Sequence, residues 1–313
     1  MGAHPRGRAE APRRAGGDVA GAVKLTNLDR VVFPADGITK GDVVAYYEAV
    51  APRMLPHLEA RPLSLQRFRK TIDDGGFFQQ SASGHFPDFV GRLPVAHNDG
   101  EGETVHPVAG SAEALVYLAN QGALTLHAWP ARAPALECPD ALVLDLDPAE
   151  AEEFGPVRRA ALLLREELEN VGLVGLPMLT GSRGLHVVVA LDAATPWDGV
   201  WTFAKAIGAA LVKRAPKELT RAFYKSQRRG RLYVDTGRAR RGHTAVVPYT
   251  VRARPGAPVA TPVTWAELEG DEALGGGSFT IRTVLERPPD PWDGARWQAQ
   301  SLTAAAEALG VSL

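Results

Sequence analysis

The sequence predicts a two-lobed α/β (α+β) domain, and three observations carry that expectation. From Ala141 the chain reads strand, helix, strand: the apolar run Ala141-Leu142-Val143-Leu144 gives way to a helical period and then to Val187-Val188-Val189-Ala190-Leu191. Ahead of it, short strand-like runs alternate with brief helical stretches, which marks the N-terminal part as a separate lobe. The length, 313 residues, allows a substantial core in one large or two small domains.

The elements follow in order. Thr39 is placed to cap a helix reaching about residue 54, with Val43, Tyr47 and Val50 on its apolar side and Pro56 ending it. Residues 63–68, 77–80 and 124–128 read as strands, and 112–120 as a short helix. In the second lobe Pro156 opens a helix and Gly172 closes it; Val157, Ala161, Leu164, Leu168 and Val171 share one face, the pattern of a helix packed on a sheet. A helix over 198–214 leads to a strand ending at Asp235 and another spanning 244–251. Residues 1–22, rich in Gly, Ala, Pro and Arg without periodicity, read as a disordered basic tail. The domain proper is assigned to 23–290 and a C-terminal helical extension to 291–313.

Composition excludes more than it identifies. A net charge of −1 carries no overall basic signature, but its distribution is uneven: between Lys213 and Arg254 there are thirteen Lys or Arg and two acids, Glu218 and Asp235. Such a strip suits a phosphate-rich substrate, and it also describes a solvated surface. The single cysteine, Cys138, excludes an intramolecular disulfide and a Cys-cluster zinc site, and a reducing cytoplasmic location is the simplest expectation. No export signal or membrane span is read from the chain.

The chemistry is concentrated in Asp145 and Asp147. At positions i and i+2 of a strand both carboxylates project from one face, where they repel each other unless a cation lies between them. A hard divalent ion takes such oxygens and keeps positions open for substrate phosphates. A bare Asp-x-Asp fits a strand exit with capping aspartates equally well. Downstream, Thr180-Gly181-Ser182-Arg183-Gly184-Leu185-His186 reads as a phosphate-gripping turn: its glycines allow close backbone approach, and Ser182, Arg183 and His186 can donate to phosphate oxygens. Alone, that string is also an ordinary hairpin. Asp235 ends a third strand-like run. Three strand-end aspartates with a phosphate turn form the constellation of a two-metal nucleotidyl transfer site.

These strings, together with Tyr233-Val234-Asp235 and the stretch from Thr244 through Val251-Arg252-Ala253-Arg254 to Pro262, resemble the polymerase module of bacterial DNA ligase D, of the archaeo-eukaryotic primase superfamily. The resemblance covers about residues 25–286. It implies a primase fold with an RNA-recognition-motif-like catalytic sheet, two divalent ions (Mn2+ or Mg2+), NTP or dNTP substrates, and template-dependent gap filling or end extension in which ribonucleotides are accepted. Gapped or broken DNA with a 5′-phosphate is the implied partner, with a separate DNA ligase and an end-binding protein such as Ku. End joining and excision repair are both open as pathways. The implied setting is bacterial and nucleoid-associated.

The resemblance also assigns roles residue by residue. Asp145, Asp147 and Asp235 become the metal ligands. Arg30, after Leu25-Thr26-Asn27, and Lys40 read the downstream 5′-phosphate, and Phe77 and Phe78 line the template path. Strand alternation sends the two phenylalanines to opposite sides, so one is expected in the core and Phe78 outside. His127 lies near the incoming nucleotide. Lys225, Arg252 and Arg254 complete the triphosphate shell around Ser182, Arg183, Gly184 and His186, with Arg252 and Arg254 on one face of a strand. The loop Arg238-Ala239-Arg240-Arg241-Gly242 is expected to grip the template strand. No Lys-x-Asp-Gly string of DNA ligases occurs, so a polymerase module alone is expected. Two rivals remain: a non-catalytic DNA-end-binding module, and a phosphohydrolase with Asp145 as nucleophile, which the Pro148-Ala149 continuation disfavours.

Overall fold

A computed structural model of the protein describes residues 23–148, 154–288, 291–292 and 298–313. The proposed tail over 1–22 lies outside the described residues. The first lobe runs through β1 (Val31–Phe33), β2 (Ile38–Thr39), α1 (Lys40–Met54), β3 (Leu63–Arg67), β4 (Phe77–Gln79), β5 (Gly91–Ala96), β6 (Glu103–Val108), α2 (Ala112–Asn120) and β7 (Ala123–Ala128). The second contains β8 (Ala141–Asp147), α3 (Phe154–Asn170), β9 (Leu176–Leu179), β10 (Leu185–Ala190), α4 (Trp197–Arg214), β11 (Leu219–Thr220), α5 (Lys225–Arg228) and β12 (Leu232–Asp235). The chain then passes through β13 (Ala245–Val246), β14 (Thr261–Pro262), α6 (Trp265–Gly270) and α7 (Thr303–Ala308).

Local chemistry accounts for the helix starts. Thr39 and Asp42 form a reciprocal capping box, the threonine hydroxyl accepting from the Asp42 amide while Asp42 accepts from the Thr39 amide, at 3.2 and 2.8 Å. Ser111 caps α2 in the simpler way, accepting from the amide of Ala114.

Six strands in the order β11-β12-β8-β10-β9-β14 make the sheet of the second lobe, with β8 antiparallel to β12 on one side and to β10 on the other. Alternation then divides the sheet into two faces. Leu142, Leu144 and Leu146, with Leu185, Val187 and Val189 and with Leu232 and Val234, pack into one core with Val157, Ala161, Leu164 and Leu168 of α3 and Phe203 and Ile207 of α4. Each such side chain contributes about 1.5–3 kcal/mol relative to exposure. The other face carries Val143, Asp145 and Asp147, flanked by His186 and Asp235, and turns toward the first lobe. Among the described residues the C-terminal segment is helical only over Thr303–Ala308, and its Leu302, Ala305 and Ala306 join the same core.

The first lobe has a four-stranded sheet, β13-β7-β3-β4, with α1 and α2 packed on it. Its core is completed by residues from far along the chain: Val247, Tyr249, Val251, Ala257 and Val259 are all buried in it. Hydrogen bonds lock that late segment in place. The Tyr46 hydroxyl donates to the Tyr249 carbonyl (2.7 Å), the Thr125 hydroxyl donates to the Val251 carbonyl (2.7 Å), and the Val251 amide donates to the Tyr47 hydroxyl (3.1 Å).

Two expectations change here. The strand over 244–251 is only Ala245–Val246, paired with β7 of the other lobe; Pro248 supplies no ladder N–H and Tyr249 has φ of +67°, so the chain turns away. Residues 91–108, to which no strand was assigned, form the β5–β6 hairpin. At the junction between lobes Asp140 receives both Arg61 guanidinium nitrogens, at 2.6 and 2.7 Å, and the Arg132 Nε at 2.6 Å.

Candidate active site

Asp145 lies at the centre of the sheet face turned toward the first lobe because β8 is flanked on both sides. Its Cα pairs with Asp235 on β12 and with His186 on β10, so one row across three strands reads His186, Asp145, Asp235, with Asp147 two residues further along β8. His186 Nε2 lies 3.5 Å from one Asp145 oxygen, and the Arg238 guanidinium donates to the other at 3.4 Å. Asp235 accepts from the Gly237 amide (2.7 Å) and the Tyr233 hydroxyl (3.2 Å).

The electrostatics separate these carboxylates. Burial raises the Asp145 pKa, but the charges and hydrogen bonds of His186 and Arg238 outweigh it and hold the group below the usual carboxylate range. Asp147 is pushed the other way, first by burial and then by the negative charges of Asp145 and Asp235. Among the described residues no three His, Cys, Asp or Glu side chains converge into a ready-made metal cage. The donor chemistry nevertheless fits a hard divalent ion: the donors are carboxylate oxygens that repel each other, and Arg238 reaches Asp145 at 3.4 Å and Asp235 at 4.0 Å where a cation would lower that repulsion.

A polar cleft opens over this row, lined by Asp145, Asp147, His127, Thr180, Ser182, Arg183, Gly184, His186, Arg238, Val246, Arg252 and Arg254. Nine of the residues assigned from the sequence to the metals or the nucleotide are therefore brought together, while Asp235, beside Asp145 on β12, does not line the cleft itself. The Ser182 turn is shaped for close approach: a Cβ on Gly184 would lie 2.5 Å from the Leu146 carbonyl oxygen, and Gly181, at φ +66°, sits 2.7 Å from the Ala260 amide by the same construction. The Thr180 hydroxyl closes the turn onto the Gly184 carbonyl at 3.0 Å.

Opposite stands a cationic wall. Burial and then the neighbouring Arg254 lower the Arg252 pKa to about 10, and burial and then Arg183 lower that of Arg254. Burial, then Arg252, Arg238 and His186, bring His127 down to about 3, so it is neutral near pH 7. Crowded positive groups of this kind are poised for a polyanion. Arg252 and Arg254 reach the cleft from a bend and not, as expected, from a strand, with the Arg252 guanidinium donating to the Thr180 carbonyl at 2.5 Å.

The remaining sequence-derived residues lie around this centre. Lys225 is exposed at the start of α5 and does not line the cleft. Phe78 is 60% and Phe77 39% exposed; both stay out of the core because β4 is an edge strand left uncovered. Phe78 packs edge-on against His127 at 5.4 Å, and Phe77 lies 5.6 and 5.5 Å from the Arg67 and Arg69 guanidiniums. Lys40 is 4% exposed, its ammonium donating to the Thr26 carbonyl at 2.5 Å, and burial followed by the charge of Arg30 lowers its pKa to about 8. The Arg30 guanidinium donates to the Arg69 carbonyl at 2.6 Å.

Arg238, in the loop expected from the sequence to grip the template strand, directs its guanidinium to Asp145 and Asp235. Its position three residues after Asp235, one helical turn away, was the available signal. Arg241 of the same loop is committed to Glu137, at 2.8 and 2.6 Å.

A family model described as LigD, primase-polymerase domain, matches residues 39–292. The chain belongs to this family. Against the multifunctional non-homologous end joining DNA repair protein LigD of Mycobacterium tuberculosis it is 36% identical over 260 residues, 80% of this chain and 34% of that protein. Against LigD of Pseudomonas aeruginosa it is 31% identical over 308 residues, 96% of this chain and 36% of the relative. It thus spans about a third of the length of these LigD relatives. The solved polymerase domain of M. tuberculosis ligase D in complex with DNA superposes with a TM-score of 0.81 at 32% identity, covering 89% of this chain and 99% of that one. The fold is that of the archaeo-eukaryotic primases, as the sequence led us to expect, and a polymerase- or primase-like role goes with it. Among the described residues no helix is long and apolar enough to cross a membrane.

Proposed function

We propose that this LigD primase-polymerase domain is a template-dependent nucleotidyltransferase that fills short gaps or extends broken ends of DNA with ribo- or deoxynucleotides during repair, in end joining or excision. The observation that carries this reading is the row of carboxylates facing an arginine wall across one cleft: oxygens for cations on one side, cations for a triphosphate on the other. Asp145, Asp147 and Asp235 would hold two divalent ions, Mg2+ or Mn2+, which lower the cost of deprotonating the attacking 3′-hydroxyl and of the charge developing on the leaving phosphate. Arg183, Arg252 and Arg254 bind and orient the triphosphate, Ser182 donates to it, and Gly184 lets it approach the backbone. His186 fixes the orientation of Asp145. Neutral His127 can donate one hydrogen bond to the nucleotide, and Phe78 beside it gives the templating base an apolar face. A separate ligase would seal the product, and Ku or another end-binding protein would present the ends.

The deciding experiment is primer extension on gapped DNA with each nucleotide type and each metal. Metal-dependent, template-directed addition is expected, with ribonucleotides used at least as well as deoxynucleotides and Mn2+ supporting more activity than Mg2+. Tight DNA binding without any addition would leave a non-catalytic end-binding module instead.

Arg30 and Lys40 are assigned to the downstream 5′-phosphate, and the low pKa of Lys40 makes the assignment testable by pH. In the free protein Lys40 loses its proton as pH rises through about 8, and a phosphate dianion would need it charged. The preference for a 5′-phosphate over a 5′-hydroxyl gap should therefore be full near pH 7 and fall above pH 8, approaching about tenfold per pH unit for one linked proton. Anisotropy titrations at pH 7 and 9 check this. A preference unchanged across that range, or an equal loss of affinity for both ends in Arg30→Ala/Lys40→Ala, would make these residues general backbone contacts.

A further inference from the structure

Phe223 and Tyr224 are 71% and 65% exposed, more than any other large hydrophobic side chain among the described residues. Their rings meet edge to face, centroids 5.4 Å apart at 82°. The segment is not left loose. Arg228 donates to the carbonyls of Ala222 (3.2 Å) and Phe223 (2.9 Å) while its guanidinium lies 4.0 Å over the Tyr233 ring. The Tyr233 hydroxyl in turn donates to Asp235. One arginine and one tyrosine thus hang the aromatic pair from the carboxylate row.

The surroundings identify what such a pair can bind. Lys217, Arg221, Lys225 and Arg229 are all exposed around it, and the one acid between Lys213 and Val234, Glu218, is paired with Arg159 at 3.4 Å. Flat apolar faces with a surplus of cations beside them match a ligand with planar groups on an anionic backbone. Base pairs in a duplex hide their faces in their own stack, so unpaired nucleotides fit best.

We propose that Phe223 and Tyr224 form a second stacking platform, separate from Phe77 and Phe78, for the unpaired stretch of the strand being extended. Its bases rest on the two rings, its phosphates on the surrounding cations, and its 3′ end is delivered to Asp235. This rests on the polymerase reading, because only a strand bound for the carboxylates has reason to cross this surface.

The test is the anisotropy of a labelled oligothymidylate titrated with the full chain, without nucleotide or metal, and with a blunt duplex in parallel. Phe223→Ala/Tyr224→Ala should weaken oligothymidylate binding about tenfold or more, as loss of base–aromatic stacking does, with little change for the duplex. Phe223→Trp/Tyr224→Trp should restore it. Equal affinity of the alanine variant and the parent for oligothymidylate, or an equal loss on both DNAs, overturns the platform. So does reduced self-association in sedimentation with unchanged DNA binding, which would assign the pair to a contact between copies of the chain. If the parent extends a primer but the alanine variant binds oligothymidylate normally, only the platform is wrong; if the parent neither binds nor extends, the polymerase reading falls with it.

Discussion

Asp145→Ala, Asp147→Ala and Asp235→Ala are each expected to abolish nucleotide addition, a loss on the order of a thousandfold or more, while leaving gapped-DNA affinity nearly intact. The effects separate because the carboxylates would act on the reacting groups, whereas the DNA would be held at other positions, by cations such as Arg30 and Lys40. Asp145 should be the most sensitive. Its removal takes a partner from both His186 and Arg238, and Arg238 can then close further on Asp235, which it already approaches at 4.0 Å. Asp145→Asn, which keeps the shape but not the charge, should fail as completely, because an amide cannot offset a divalent charge. Single-turnover extension together with anisotropy on the same gapped DNA gives both quantities. Extension near the parental rate in Asp145→Ala would defeat the assignment of the carboxylates.

The second large effect concerns stability. Asp140 is the shared partner of Arg61 and Arg132 at the junction between the lobes, and Arg61 is nearly buried there. Asp140→Ala leaves a buried guanidinium without its counter-charge and should cost about 3–5 kcal/mol, seen as a lower urea midpoint. Arg61→Met/Asp140→Leu should recover much of the loss, because no nearly buried guanidinium is left without its counter-charge, although the carbonyls of His57 and Trp129 lose their Arg61 donor. The pH dependence has a definite sign. Burial raises the Asp140 pKa, but Arg61 and Arg132 outweigh it, and the folded value lies below the unfolded one of 3.8. The stabilisation is therefore fully present above about pH 4 and lost as pH falls through the folded pKa. Equal urea midpoints for the parent and Asp140→Ala at pH 7 would show that the pair contributes nothing net.

Much of this was legible because the second lobe obeys its local rules. Strict alternation over Leu142-Val143-Leu144-Asp145-Leu146-Asp147 leaves one buried face and one chemical face, and α3 carries an unbroken apolar stripe, so sequence period and tertiary packing agree. The turn at Gly181-Gly184 was readable because it demands glycine: a Cβ at either position would lie 2.5–2.7 Å from neighbouring atoms. Where packing overrode pattern, reading failed. The β5–β6 hairpin carries Pro94 and Pro107, which argue against strands, and few of its side chains are buried, so the alternation along β5 has little apolar contrast to show it. Phe77 was expected inside because alternation normally buries one of two adjacent aromatics, but an edge strand without a covering layer has no inside. Arg252 and Arg254 are at the expected site for a different reason: a bend anchored by the Thr180 carbonyl, not a strand, aims them.

The segment from Val247 to Val259 has a consequence for how the molecule is made. It belongs by packing to the first lobe but follows the second lobe's strands β8 to β12 in sequence, with Tyr46 and Tyr249 joined across 203 residues. On the ribosome the first lobe emerges without this piece, and its partners Tyr46, Tyr47 and Leu126 wait for it until five of the six strands of the catalytic sheet have been synthesised. The same late segment carries Arg252 and Arg254. The cationic wall is therefore delivered by the event that closes the N-terminal core, and a nascent chain cannot present a nucleotide-binding cleft before both halves of its fold are complete.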